Sequence, residues 1–161
     1  MTIEERLGEL GVELPDFGGP SYYGATYGKM KPYHRVGNIL FLSGHVPDVN
    51  DSGNIIHPGA LGDQVTLEQG YEAARITGIN CLAGLKQAVG DLDNVVAIVR
   101  TLNFVVCVPG FAHVHKVSSG LTDLLAEVFG PERGIGCRAT IGVTALARNN
   151  CFETWLTAEV R

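Results

Sequence analysis

Apolar residues recur along this chain with two periods. From Thr66 onward, Leu67, Tyr71, Ala74, Gly78, Leu82, Leu85 and Val89 follow at three- and four-residue steps. That spacing puts them on one stripe and predicts a long helix over about 67–89. Thr66-Leu67-Glu68-Gln69 opens it as a capping box, in which the Thr hydroxyl and the Gln side chain satisfy free N–H groups of the first turn. Gly70, Gly78 and Gly84 weaken such a helix and are expected where another backbone comes close. A second helix is predicted over about 112–129, burying Val114, Val117, Leu121, Leu124, Leu125 and Val128. Between them, Val95 to Val108 is a long β-branched run that reads as a central strand, stopped by Pro109-Gly110. Near the start, Thr2-Ile3-Glu4-Glu5 is a capping box for a short helix over 3–10, with Gly11 as its C-cap. Residues 12–21 read as a loop. Tyr22 to Met30, aromatic and Gly-rich, reads as either an edge strand or a ligand-covering loop. Tyr33 to Val36 leads to a Gly37-Asn38 turn and the strand Ile39 to Ser43.

The last 25 residues, Cys137 to Arg161, alternate with period two. Ala139, Ile141, Val143 and Ala145 alternate with Arg138, Thr140, Gly142 and Thr144. After Arg148-Asn149-Asn150, Phe152, Leu156, Ala158 and Val160 alternate with Glu153, Trp155, Thr157 and Glu159. The reading is a terminal β-hairpin with both apolar rows on one face. In that register Arg138 and Glu153 share the more polar face but lie about six residues, roughly 20 Å, apart. One subunit can then hardly bring both to one small molecule, which points to a site between subunits.

The order of strands, helix, strand, helix and hairpin predicts an α+β layer fold, with both helices on one face of a mixed sheet. Trp155, Thr140, Thr144 and Thr157 are expected on the other face, as a plausible oligomer interface. The 161 residues suffice for one domain, and 45% hydrophobic with 18% charged residues is a globular balance. Twelve basic against 17 acidic side chains give a net charge of −5, and no Lys/Arg cluster is visible, which argues against a phosphate-backbone binder. There is no apolar run of membrane-spanning length and no signal-peptide core, so a cytoplasmic protein is expected. Cys81, Cys107, Cys137 and Cys151 lack C-x-x-C spacing and read as reduced thiols. His113 and His115, at i, i+2 on a helix, point apart and make a poor metal pair.

Several ordered segments resemble the RidA/YjgF family, the reactive intermediate deaminases. They are Val36-Gly37-Asn38 through Ser43-Gly44-His45-Val46-Pro47, then Gly70 to Arg75, Gly90 to Val95, Arg138 to Val143, and Phe152-Glu153. The likeness covers most of the chain from about residue 33. Residues 1–30 suggest a longer subgroup with an N-terminal extension, 31–161 being the core of a single domain. The resemblance implies a chorismate-mutase-like fold and a homotrimer whose sheets form a central barrel, with three clefts between subunits. It implies hydrolysis of 2-imino acids or their enamines to 2-keto acids and ammonia, without metal or organic cofactor.

Carried over position by position, the resemblance makes Arg138 the anchor of the substrate carboxylate, a task suited to the guanidinium fork. Glu153 becomes the group that directs water, and a partly desolvated glutamate suits that work. Ser43 and Gly44 line the cleft, and Thr140 sits where compact deaminases carry a cysteine. Tyr33 is the first candidate for the substrate-contacting tyrosine, with Tyr22, Tyr23 and Tyr27 as others. Ser119 or Thr122 stands in for the asparagine of the second helix. His45, in the cleft loop, reads either as an acid/base group or as a satisfied histidine. The partner expected is a small carboxylate-bearing imine or keto acid, with no membrane and no nucleic acid. Two other readings stand beside deamination: a non-catalytic carboxylate-binding or regulatory module on the same fold, and a ribonuclease.

Overall fold

The computed structural model describes residues 1–17, 27–49 and 53–161. Helix α1 (Ile3–Leu10) opens on Thr2, whose hydroxyl accepts from the Glu5 N–H while the Glu5 carboxylate accepts from the Thr2 N–H. It ends on Gly11 in the left-handed region. Ile3 and Leu7 drop into the main core. A hairpin follows, β1 (Tyr33–Val36) and β2 (Ile39–Leu42), turning at Gly37-Asn38 with Gly37 at positive φ. Among the described residues the short strands β3 (Asp48–Val49) and β4 (Asn54–Ile55) form a separate two-stranded sheet. Helix α2 (Leu67–Val89) carries the predicted Thr66–Gln69 capping box. The strand β5 (Val95–Val106), helix α3 (Val114–Phe129), a single helical turn α4 (Pro131–Gly134), and strands β6 (Cys137–Val143) and β7 (Phe152–Val160) complete the chain.

The main sheet runs β1-β2-β7-β5-β6. All its pairs are antiparallel except β5–β6, which α3 links as a parallel crossover. Both long helices lie on one face. Their buried residues, Ala74, Leu82 and Leu85 from α2 and Val117, Leu121, Leu124, Leu125 and Val128 from α3, meet Phe152, Leu156, Ala158 and Val160 of β7 in one core. The mixed α+β layer fold expected from the sequence is thus present.

The terminal hairpin is not. β6 and β7 never pair, because β5 lies between them. The twelve-residue β-branched β5 takes the centre, where both its edges are hydrogen-bonded, and β6 becomes an edge strand. Residues 144–151 cross to β7 through a loop in which Arg148 and Asn149 both have positive φ. The apolar rows do not share a face either. Partners across a ladder point the same way. Thr101 is opposite Arg138 and Leu156, and Asn103 is opposite Thr140 and Thr154, so all six lie on the helix side. Leu102 is opposite Ala139 and Trp155, and Phe104 is opposite Ile141 and Glu153, so these lie on the helix-free side. The apolar row of β6 therefore faces away from the core, and its polar row faces α3. Trp155 and Thr157 occupy the open face as expected, but Thr140 does not.

The three helix glycines also differ from expectation. Gly70 is approached by the Leu61 side chain and Gly84 by the His45 ring, so side chains rather than backbone fill the space. Gly78 is likewise crowded first by Leu124 and Leu121 side chains. The close backbone approach is on α3, where a Cβ on Gly120 would sit 2.0 Å from the Tyr71 carbonyl oxygen.

Candidate active site

The segment after β2 is held from three sides. The Ser43 N–H donates to the Pro32 carbonyl, and its hydroxyl donates to the Lys31 carbonyl. His45 and Thr154 exchange both backbone hydrogen bonds at 3.0 Å, tying the loop to β7 one residue past Glu153. Asn80 of α2 donates its amide to the carbonyls of Val46 and Asp48. This brings Gly44 against the Glu153 side chain. A Cβ at Gly44 would lie 3.0 Å from Glu153 Cδ and 3.2 Å from Trp155 Nε1. Glycine is what allows the carboxylate to sit there.

Ser43, Gly44, His45 and Glu153 border one cavity of about 360 Å³, together with Phe17, Tyr27 and Trp155. Burial raises the Glu153 pKa, and the indole N–H of Trp155, donating at 2.8 Å to Oε2, opposes that rise. His45 is 3% exposed. Burial pushes its pKa down to about 4, against the opposing effect of the Ser43 carbonyl 2.7 Å from Nδ1. A neutral imidazole with Nδ1–H donating to that carbonyl fits both facts, so the satisfied-histidine reading holds near neutral pH. Asp48, also buried, accepts from the Tyr27 hydroxyl at 3.0 Å and from the Gly53 N–H at 2.9 Å. Tyr27 in turn accepts from the Asn150 amide, and burial above all pushes its pKa up to about 12.

Arg138 is not in this cavity. It is exposed on the edge strand, on the helix side of the sheet, where its Nη1 donates to Ser119 Oγ at 3.2 Å and to Thr122 Oγ1 at 3.1 Å. The two hydroxyls proposed to replace the helix asparagine thus both hold the arginine. Arg138 forms no ion pair among the described residues. Thr140 donates to Ser118 Oγ at 2.8 Å and accepts from Asn103, whose carbonyl accepts from Thr154. This buried chain joins β6, β5 and β7 under α3. Along β5 the partners of Arg138 and Glu153 are Thr101 and Phe104, three residues or roughly 10 Å apart. The six-residue separation expected from a hairpin is replaced by a shorter offset, two strand spacings and opposite faces. One subunit does not bring the two groups together.

Tyr33 lies in β1 and packs against the core. Tyr27 is the described tyrosine that lines the cavity, while Tyr22 and Tyr23 lie outside the described residues. Trp155 as a partner of Glu153 was legible in principle, since residues two apart on a strand share a face. Asp48 and Asn80 carried no such signal. His113 and His115 sit ring to ring at 6.3 Å at the start of α3, and no group of three His, Cys, Asp or Glu among the described residues is placed to hold a metal. Cys81 and Cys151 are buried and Cys137 is exposed; no disulfide joins the four cysteines.

A central strand flanked by parallel and antiparallel neighbours, two helices on one face and a glycine-lined glutamate at the sheet's open side define a chorismate mutase-like α+β protein. The model of the family described as "YjgF/chorismate mutase-like, putative endoribonuclease" matches residues 4–160. The chain belongs to this YjgF/RidA family. It is 33% identical over 144 residues to protein TCP17 of Trypanosoma cruzi, covering 89% of this chain and 85% of that protein. The crystal structure of Atu1372 from Agrobacterium tumefaciens, a protein of unknown function, is 34% identical with a TM-score of 0.84, over 99% of this chain and 92% of that one. A Shewanella oneidensis protein described as a "putative endoribonuclease" is 32% identical with a TM-score of 0.88, over 99% of this chain and 100% of that one. No described helix is long and apolar enough to cross a membrane.

Proposed function

We propose that this protein hydrolyses small 2-imino acids, or the enamines that tautomerise to them, to 2-keto acids and ammonia, without a cofactor, in clefts between the subunits of a homotrimer. The observation that carries the reading is the pair of half-sites on one chain. A desolvated carboxylate, Glu153, borders a cavity on one side, and an arginine without an acidic partner among the described residues, Arg138, stands on the opposite side of the sheet. Two copies meeting would supply both to one substrate. Val36, Phe41, Ile141 and Trp155, exposed on the helix-free face, support such an assembly.

In this mechanism Arg138 of one subunit binds the substrate carboxylate through its free N–H groups, while Ser119 and Thr122 fix its orientation. Glu153 of the neighbour accepts a proton from water as the water oxygen attacks the imine carbon. The C=N π electrons move to nitrogen, which takes a proton, giving a carbinolamine. Collapse of that adduct forms the C=O bond and releases ammonia. Burial suits Glu153 to this exchange by moving its pKa toward working pH.

The deciding assay follows keto acid and ammonia release from freshly generated 2-aminoacrylate and 2-aminocrotonate. Wild type should turn over, and Arg138→Ala should lose at least about a hundredfold in kcat/KM, as expected when a charge-assisted anchor of about 3 kcal/mol is removed. Unchanged kinetics in the variant would end the proposal. Calorimetric binding of a keto acid without turnover by wild type would favour the regulatory-module reading. A ribonuclease is disfavoured by the cavity itself: Asp48 and Glu153 line it, and no Lys or Arg does among the described residues.

A further inference from the structure

Resting on the deaminase site just described, the inference concerns what fills the cavity beyond Glu153. A three-carbon imine held between Glu153 and the Ser43-Gly44 loop would fill only part of a space of about 360 Å³. The rest is walled by Phe17, Tyr27, Met30, Val46, Ala147 and Trp155. Three of these, Phe17, Tyr27 and Met30, precede the sheet, so the N-terminal part of the chain builds part of the wall. The Phe17 ring lies 6.4 Å from the His45 ring, and the Tyr27 hydroxyl is clamped between Asp48 and Asn150. The polar groups that line the cavity are largely engaged with the protein itself: Trp155 N–H on Glu153, Tyr27 O–H and Gly53 N–H on Asp48, and Asn80 on two carbonyls.

We propose that this cavity is the side-chain pocket of the substrate and selects 2-imino acids with a bulky, uncharged side chain, aromatic above all, over three-carbon and dicarboxylic ones. An aromatic ring entering it exchanges water for the faces of Phe17, Tyr27 and Trp155, and burial of that much apolar surface favours binding. A second carboxylate would enter between Asp48 and Glu153, in a partly dehydrated space, with no Lys or Arg lining it among the described residues. Arg148 packs over the Tyr27 ring and is not among the lining residues.

The test is titration calorimetry of the full chain with three keto acids, each a product of the proposed reaction: phenylpyruvate, pyruvate and 2-oxoglutarate. Phenylpyruvate should bind at least tenfold more tightly than pyruvate, and 2-oxoglutarate more weakly than pyruvate. Met30→Trp, which fills the pocket from its N-terminal wall, should cut the preference for phenylpyruvate to less than threefold, with the circular dichroism spectrum unchanged. Equal affinities, tighter 2-oxoglutarate, no binding of any of the three, or a preference that survives Met30→Trp overturns the assignment. The preference without imine turnover would leave the pocket standing and remove only the catalysis.

Discussion

Glu153 and His45 border the same cavity, yet burial moves their titrations in opposite directions. It raises the pKa of the acid and lowers that of the base, because in each case the charged form is disfavoured. With its pKa lowered to about 4, the His45 imidazole stays neutral near neutral pH. If the proposed deamination is right, the acid limb of the pH–rate profile belongs to Glu153, which must be ionised to take a proton from water. As pH falls through its raised pKa, activity falls, and the midpoint lies above the ordinary glutamate value of 4.5. The Trp155 N–H stabilises the ionised form. Trp155→Phe keeps an aromatic ring against Phe104, where the two rings now lie 4.8 Å apart, but deletes that donor. The acid limb should move to higher pH, with most of the alkaline plateau retained. Measuring kcat/KM from pH 4 to 9 checks this; a limb that stays put or moves lower would show that another group titrates.

At the level of elements, the helices and the turn joining β1 to β2 were readable, and the neighbours of β6 and β7 were not. A 3.6-residue period names the buried stripe of a helix without reference to anything else, so α2 and α3 and both capping boxes follow from the chain alone. A two-residue period says which side chains share a face, but neither which strand lies alongside nor which face is inward. β6 shows the consequence. Its apolar row, Ala139, Ile141 and Val143, looks like a core face, yet Arg138 and Thr140 are the ones turned to the helices, where Ser118, Ser119 and Thr122 await them. The polar half of the pattern was specified by hydroxyls on another element, which no local window contains. The site suffered likewise: Ser43, Gly44 and Glu153 come together through a backbone bridge to Thr154, while Arg138 and Thr140 gather on α3. What the helix pattern did not show is why α3 has a glycine at 120, and there the Tyr71 carbonyl answers. With a Cβ placed 2.0 Å from that oxygen, Gly120→Ala must push α2 and α3 apart, and backbone cannot yield as a flexible side chain does. The variant should lose about 3 kcal/mol or more despite alanine's better helix propensity. Urea unfolding measures it, and a loss under about 0.5 kcal/mol would mean the crossing is looser than described.

For the whole molecule, the question is what a sheet does with two apolar faces and helices on only one. Phe41 is 46%, Ile141 47%, Trp155 50% and Val36 58% exposed, all on the helix-free side and spread across β1, β2, β7 and β6. Scattered exposed apolar residues are ordinary, but a row across four strands calls for a cover. On the deaminase reading proposed above, a further copy of the chain would be the cover and would also complete the site, by supplying the arginine this subunit holds on its other side. On that reading catalysis and assembly are one property. Ile141→Lys puts a charge at the β6 end of this exposed apolar row while leaving Arg138, Glu153 and the cavity lining unaltered in sequence. Sedimentation should show the trimer replaced by monomer, with the circular dichroism spectrum retained. Imine turnover should fall by at least about a hundredfold, because no subunit owns both groups. A monomer that keeps wild-type kinetics would place the whole active site within one chain, and a trimer that tolerates the lysine would place the interface elsewhere.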